Sequence, residues 1–338
     1  MHFTFLMCSE RSGSNLITKI MDSHSEYCGP SPTHLFRILL DNNLKYGSFE
    51  NNQNWEIFLK DVTDLYNSKL GLWRTQINFD HLKANISDRS ITGALKFIYQ
   101  NEAKLNGKSK LFVKENKIYD FIYFLLTEFE DPKFVYFVRD PRDMALSWKL
   151  SPNLRGCVIR AGNTWKRDQK KYLKIFSCLL RQNRAILMRY EDLLTDSEES
   201  LNNLCKFLNV EFESKLLKFR CSDLTIKNAN SSADWKNLNR PLMKANFNKY
   251  QDSLTDEEIK YVECLCHKEM DILGYKREFD YYSDLETYAS VIDKFELKEK
   301  PAYMKLPEKE RNIRSERYNI EKNIAQKSPI KLVQQIVL

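Results

Sequence analysis

One stretch close to the first residue, FTFLMCSERSGSNLITKIMDSH, constrains the fold more than any other part of the chain. Residues 3–7 are apolar, CSERSGS at 8–14 is small and polar, and Leu16, Ile17, Ile20 and Met21 recur at helical spacing. This order predicts a buried strand, a tight loop and an amphipathic helix. Backbone N–H groups unpaired at a helix start, together with its positive end, favour an anion there. Arg11 places a fixed charge within the loop. The nucleotide-loop pattern G-x-x-x-x-G-K-[ST] nevertheless fits badly, because its first glycine falls on Cys8, its lysine on Ser14 and its hydroxyl residue on Asn15. Magnesium-dependent transfer of a γ-phosphate would lack its usual equipment. The residues alone leave two readings, a cradle for another phosphate-bearing ligand or an ordinary strand-to-helix turn with a surface arginine.

Strand-like and helix-like stretches alternate downstream, as in an α/β protein with a mostly parallel sheet. Strands are expected at residues 3–7, 111–113, 134–138 and 185–188. Helices are expected at 14–22, 55–66, 118–128, 143–150, 164–180, 197–208 and 255–273. Asp196 precedes one helix, and TDEE at 255–258 is a capping box. Residues 41–54 and 222–240 read as loops. There are no internal repeats. The eight cysteines form no CxxC pair and no His/Cys cluster, which predicts reduced thiols and no metal site. No apolar run is long enough to cross a bilayer and no targeting peptide is evident, so a cytoplasmic location is expected. Of the formal net charge of +7, residues 298–338 carry +5, from ten Lys/Arg and five Glu. The remaining body is near neutral and has no nucleic-acid-binding signature, so no nucleic-acid partner is expected.

A second phosphate site is suggested by FVYFVRDPRDMALSW. A buried strand ends at Arg139, Asp140-Pro141 suits a helix start, and Ser147 lies two turns into that helix. Charge and hydroxyl together suit one phosphate. The alternative is that Arg139 merely pairs with Asp140 or Asp143.

SERSGSNL paired with VRDPRDMALS resembles the two phosphate-binding motifs of the sulfotransferases that use 3′-phosphoadenosine 5′-phosphosulfate (PAPS). The resemblance is strongest to the branch containing tyrosylprotein and related bacterial enzymes. It implies a P-loop NTPase-like three-layer sandwich with a mostly parallel central sheet flanked by helices. It also implies sulfuryl transfer to an acceptor hydroxyl by direct in-line displacement, with adenosine 3′,5′-bisphosphate (PAP) as product and no metal. Arg11, Ser12, Gly13, Ser14 and Asn15 would then hold the 5′-phosphosulfate, while Arg139 and Ser147 hold the 3′-phosphate. MRYEDLL is similar to a segment whose tyrosine, here Tyr190, lies near the adenine. FVKENKIYDF is similar to the strand end whose lysine, here Lys114, lies near the transferred group. SSADWKNLNRPLMKANFNKY resembles the loop closing over the donor, with Ser232 and Lys249 matching its phosphosulfate contacts. Similarity is patchy but ordered over about residues 3–276, with none in residues 35–110 or the tail. A sulfotransferase domain at 1–276 and a basic, helical extension at 277–338 are therefore expected.

The catalytic base departs from the pattern. In the tyrosylprotein branch a glutamate follows a Cys-Gly pair, whereas YCGPSPTHLFR has Pro30 there. His34, four residues on, has a reference pKa of ~6.5 suited to taking a proton near neutrality. His34 is thus the expected base, alongside Arg11, Lys114 and Ser232 as catalytic residues. The competing reading makes His34 a cap for the helix starting near Leu35. Glu115 is the reserve base, and Arg37 is a candidate contact for an acidic acceptor. The acceptor class is open. Rival functions are a P-loop-type nucleotide kinase and a non-catalytic nucleotide-binding protein. In the extension, Ile313, Ile320 and Ile324 form a narrow stripe on a helix starting near Pro307, followed by the apolar SPIKLVQQIVL. Docking on a second subunit, giving a homodimer, is favoured over docking on the chain's own body.

Overall fold

The computed structural model describes residues 1–279, 285–296 and 306–330. The strands are β1 (His2–Cys8), β2 (Tyr27–Cys28), β3 (Lys110–Lys114), β4 (Lys133–Val138) and β5 (Ala185–Arg189). The helices of the first half are α1 (Ser14–Asp22), α2 (Leu35–Asp41), α3 (Asn52–Asn67), α4 (Phe79–Asn85), α5 (Ile91–Leu105) and α6 (Ile122–Glu128). Next come α7 (Pro141–Lys149), α8 (Cys157–Arg181), α9 (Tyr190–Thr195), α10 (Ser197–Phe207), α11 (Asp223–Ala229) and α12 (Tyr250–Ser253). The last are α13 (Asp256–Ile272), α14 (Leu285–Glu296) and α15 (Glu308–Gln326).

The strands form one parallel sheet in the order β2-β3-β1-β4-β5. Side chains of β1 alternate between its faces: Phe3, Phe5 and Met7 enter one core, Leu6 and Cys8 the other. Right-handed crossovers dictate which helices cover which face. Only β1→β2 runs toward the β2 edge, and its α1 lies on one face with Ile17, Ile20 and Met21. The later connections run the other way, so α5, α6 and α8 lie on the opposite face. The chain therefore leaves β1 on one side of the sheet and both neighbouring strands, β3 and β4, on the other. That divergence opens a crevice beyond the carboxyl end of β1, where ligands bind in open α/β sheets. This is the expected three-layer arrangement.

The four expected strands are present, each longer by one or two residues. The two-residue β2 was missed because so short a strand has no period to read. The expected helix over 118–128 is broken into a 3₁₀ turn (Ile118–Asp120) and α6. The helix expected at 164–180 begins earlier, at Cys157, after Gly156 in the left-handed region at φ 84°. The expected loop at 222–240 contains α11 and a 3₁₀ turn (Ala233–Trp235), and the one at 41–54 ends in the first turn of α3. Thr255 and Glu258 make the reciprocal capping box, while the Asp196 side chain makes no cap hydrogen bond. Among the described residues no helix is long and apolar enough to cross a membrane.

The expectation for the tail needs correction. α15 packs on α3 of its own chain, with Ile324 buried, Lys327 paired with Asp61 and the Ile330 N–H donating to the Leu44 carbonyl at 2.8 Å. Of the stripe, Ile324 is covered by the body, while Ile320, packed against the same core, and Ile313 are half-buried, so α15 docks on its own chain, the alternative to the favoured reading. Residues 331–338 of the apolar terminus lie outside the described residues.

Candidate active site

Three loops meet beyond the carboxyl ends of β1, β3 and β4 around a cavity of about 350 Å³. In the first loop Arg11 is left-handed (φ 64°) and so is Gly13 (φ 85°). A Cβ on Gly13 would stand 2.5 Å from two ring atoms of Tyr190, so only glycine lets the loop lie against that ring. Ser12 is buried and donates to the Ser9 carbonyl at 2.7 Å. It stitches the loop together and does not line the cavity. Ser9 in turn donates to Asp168 at 2.9 Å, which also accepts from the Tyr119 hydroxyl at 2.7 Å. Burial pushes the Asp168 carboxyl above the usual range. Gly13, Ser14 and Asn15 line the cavity at the start of α1, and Asn15 Oδ1 is buried without a partner.

Arg11 spans both predicted phosphate motifs, donating from Nε to Ser147 Oγ at 3.1 Å. Its Nη1 lies 2.8 Å from Asp234 Oδ1. Arg139, at the end of β4, is 8% exposed and lies over the Tyr190 ring, 4.5 Å from its centroid. Its two Nη groups donate to the carbonyls of Arg11 (3.2 Å) and Asn246 (3.3 Å), and its buried Nε has no partner. The adjacent acids are engaged elsewhere. Asp140 is held by Arg142, which also pairs with Glu263, and Asp143 accepts the N–H groups of Asn248 and Tyr250. Among the described residues neither acid forms an ion pair with Arg139. Arg139 thus keeps spare donors on the cavity wall, with Asp143 near enough to feel its charge but not bonded to it.

Lys114 ends β3 and lines the same cavity, 8% exposed, with no carboxylate paired to it among the described residues. The next residue, Glu115, is fully buried and accepts from Tyr99, which is bonded to Thr33. Its Oε2 lies 3.5 Å from Nδ1 of His34, close enough for charge to act but without a hydrogen bond, and both atoms are buried with no other partner. His34 is the N-cap residue of α2, in the left-handed region (φ 57°); its carbonyl accepts from the Ile38 N–H, while its side chain makes no cap hydrogen bond. The structure thus joins the two residues weighed as rival bases. Among the described residues no cluster of three His, Cys, Asp or Glu is placed to hold a metal.

Three expected contacts are not in the cavity. Ser232 is buried and donates to Glu310 of α15 at 2.8 Å. Lys249 is exposed at the start of α12. Arg37 faces Glu321 (3.8 Å) and Asp41 (3.9 Å) of its own chain. Conversely, Asp234, Trp235, Asn246 and Arg314 line the cavity unforeseen. Asp234, Trp235 and Asn246 belong to the segment expected to close over the donor but are not singled out within it, and Arg314 enters from a helix distant in sequence.

The family model described as "Sulfotransferase family" matches residues 4–214, more than half of the chain and both phosphate motifs. The chain belongs to the sulfotransferase family. Solved structures agree on the fold of this sulfotransferase. It is similar to the sulfotransferase domain from the curacin biosynthetic pathway, with 22% identity and a TM-score of 0.56, covering 82% of this chain and 98% of that one. It is also similar to the sulfotransferase domain of the Synechococcus PCC 7002 olefin synthase, with 17% identity and a TM-score of 0.57, covering 82% and 95%. No curated protein matches the sulfotransferase in sequence.

Proposed function

We propose that this sulfotransferase moves the sulfuryl group of PAPS to an acceptor hydroxyl by direct in-line displacement and releases PAP. One observation carries the proposal: Arg11, Lys114 and Arg139, from three adjacent strand ends, line one cavity with the His34 imidazole. The residues fit a donor with phosphates at two separate places. Gly13, Ser14, Asn15, Arg11 and Lys114 are grouped for the 5′-phosphosulfate, while Arg139 and Ser147 are grouped for the 3′-phosphate. Tyr190, fixed by Asn246 at 2.7 Å, offers its surroundings to the adenine.

His34 takes the proton of the acceptor hydroxyl at Nε2, while the buried Glu115 carboxylate, 3.5 Å from Nδ1, favours the Nδ1–H form and would close to a hydrogen bond as the ring gains charge. The acceptor oxygen bonds to sulfur as the bond from sulfur to the phosphate oxygen breaks. Lys114 and Arg11 stabilise the charge that collects on the departing phosphate. Arg11 exchanges or shares its contact with Asp234 when it does so. A base oriented by a buried carboxylate accounts for the missing glutamate at Pro30.

The experiment is incubation of the full chain with PAPS and panels of phenols, sugars, lipid alcohols and tyrosine peptides in the presence of a chelator. PAP should appear together with a sulfated product in one panel. Turnover of ATP instead of PAPS, dependent on magnesium, would point to a kinase and overturn the reading.

A further inference from the structure

α15 lies beyond the segment matched by the family model, yet it touches both loops that complete the cavity. Glu310, 3% exposed, accepts from the Ser232 hydroxyl at 2.8 Å and the Ala233 N–H at 3.0 Å. Arg314, bonded to Glu310 at 2.7 Å, lines the cavity beside Asp234. Two turns beyond Glu310, Arg317 turns to the loop of the base. Its Nη2 donates to the Thr33 carbonyl at 2.5 Å, one residue before His34. Its Nη1 donates to the Leu65 carbonyl in the last turn of α3 and to Ser68 Oγ. Nε donates to Glu321 at 2.8 Å, and the other oxygen of Glu321 lies 3.8 Å from Arg37, on the far side of His34.

These contacts bracket a residue in an unfavourable conformation. A left-handed non-glycine residue persists only where its surroundings over-determine it, and such residues gather at functional sites. The His34 side chain makes no cap bond, and α2 holds the residue only through its carbonyl, which accepts from the Ile38 N–H at 3.1 Å. Thr33, on the other side, is fixed by Tyr99, which links it to Glu115, by the Leu35 N–H on its hydroxyl at 3.4 Å and by Arg317 on its carbonyl. Burial lowers the pKa of Arg317, and removing a guanidinium from water is costly unless its donors are used.

Building on the sulfotransferase reading, we infer that α15 is a positioning element of the active site, in which Arg317 holds the His34 loop so that Nδ1 meets Glu115. Arg317 touches no reacting atom; it acts through Thr33. A role confined to capping α3 would affect stability alone.

Isotope-labelled histidine in the full-length protein separates these roles by nuclear magnetic resonance of the ring nitrogens. Wild-type His34, assigned through His34→Gln, should show a single tautomer with Nδ1 protonated. Arg317→Ala should shift the His34 signals toward averaged tautomers while those of His2, His81 and His267 stay in place. Arg317→Lys, which keeps a donor near Thr33 and is the milder change should the alanine variant fold poorly, should restore them in part. Unchanged His34 signals in a folded variant, or equal shifts in every histidine, would overturn the inference. The thermal shift produced by PAP is read in parallel. Its absence from the wild type would count against the donor reading and leave the tautomer result standing.

Discussion

His34 and Gly13 are the two residues whose backbone geometry ties this fold to its chemistry. In the proposed mechanism the acceptor hydroxyl gives its proton to the imidazole at the cavity wall, 3.5 Å from Glu115. His34→Ala should therefore lower turnover by ~10²–10⁴ while the PAP-induced thermal shift stays near wild type. Glu115→Gln should lower turnover less and also spare the shift. Retention of wild-type turnover by His34→Ala with the native acceptor would remove it as base. Gly13→Ala forces a Cβ into the Tyr190 ring at φ 85°. It should cost ~1–3 kcal/mol in urea unfolding and weaken the PAP shift as well. A loss of stability without a loss of ligand response would mean that the loop relaxes away from the ligand. That Lys114 and His34 line the cavity was legible in the sequence, the first through the resemblance of FVKENKIYDF to a family segment and the second through its nearness to the Cys-Gly pair where the family pattern breaks. The joint arrangement of His34 with Glu115 was not, because it depends on β3 and the start of α2 meeting in space.

Among the elements, the pairing of α3 with α15 has the clearest energetic signature. Burial at the end of α3 pushes the Lys69 ammonium down to about 8, although it lies over the Tyr66 ring and donates to the Tyr66 carbonyl. In the unfolded chain this group titrates at ~10.4. The charged form is therefore disfavoured by folding, so the penalty is absent above ~10.4, grows as pH falls toward 8 and is constant below. Lys69→Met should raise the melting temperature at pH ~7, by a few degrees, with the gain fading as pH approaches ~10.4. A gain independent of pH would assign it to packing alone. Removal of residues 306–338 should lower the melting temperature by several degrees, because Ile324 and its cover on α3 become exposed. The stripe of Ile313, Ile320 and Ile324 identified α15 in the sequence, but not the surface that receives it. Its anchoring contacts, Glu310 to Ser232 and Arg317 to Thr33, join residues that no periodicity relates.

For the whole molecule, the handedness of the crossovers explains why short apolar runs and small loops sufficed to read the fold. β1 sits inside the sheet, the helices following β1, β3 and β4 diverge, and the cations at those strand ends must converge. The closing loop was less legible: Ser232 and Lys249 match a pattern, yet Glu310 holds one and solvent the other. In the proposed reading this convergence makes one site with separate places for a 5′-phosphosulfate and a 3′-phosphate. Calorimetric titration of wild type and Arg139→Ala with PAP and with adenosine 5′-phosphate, in a chelator, tests it most directly. The account predicts that wild type binds PAP far more tightly than adenosine 5′-phosphate and that Arg139→Ala erases most of that difference. Equal affinities for the two nucleotides in wild type, or equal losses for both in Arg139→Ala, would contradict it.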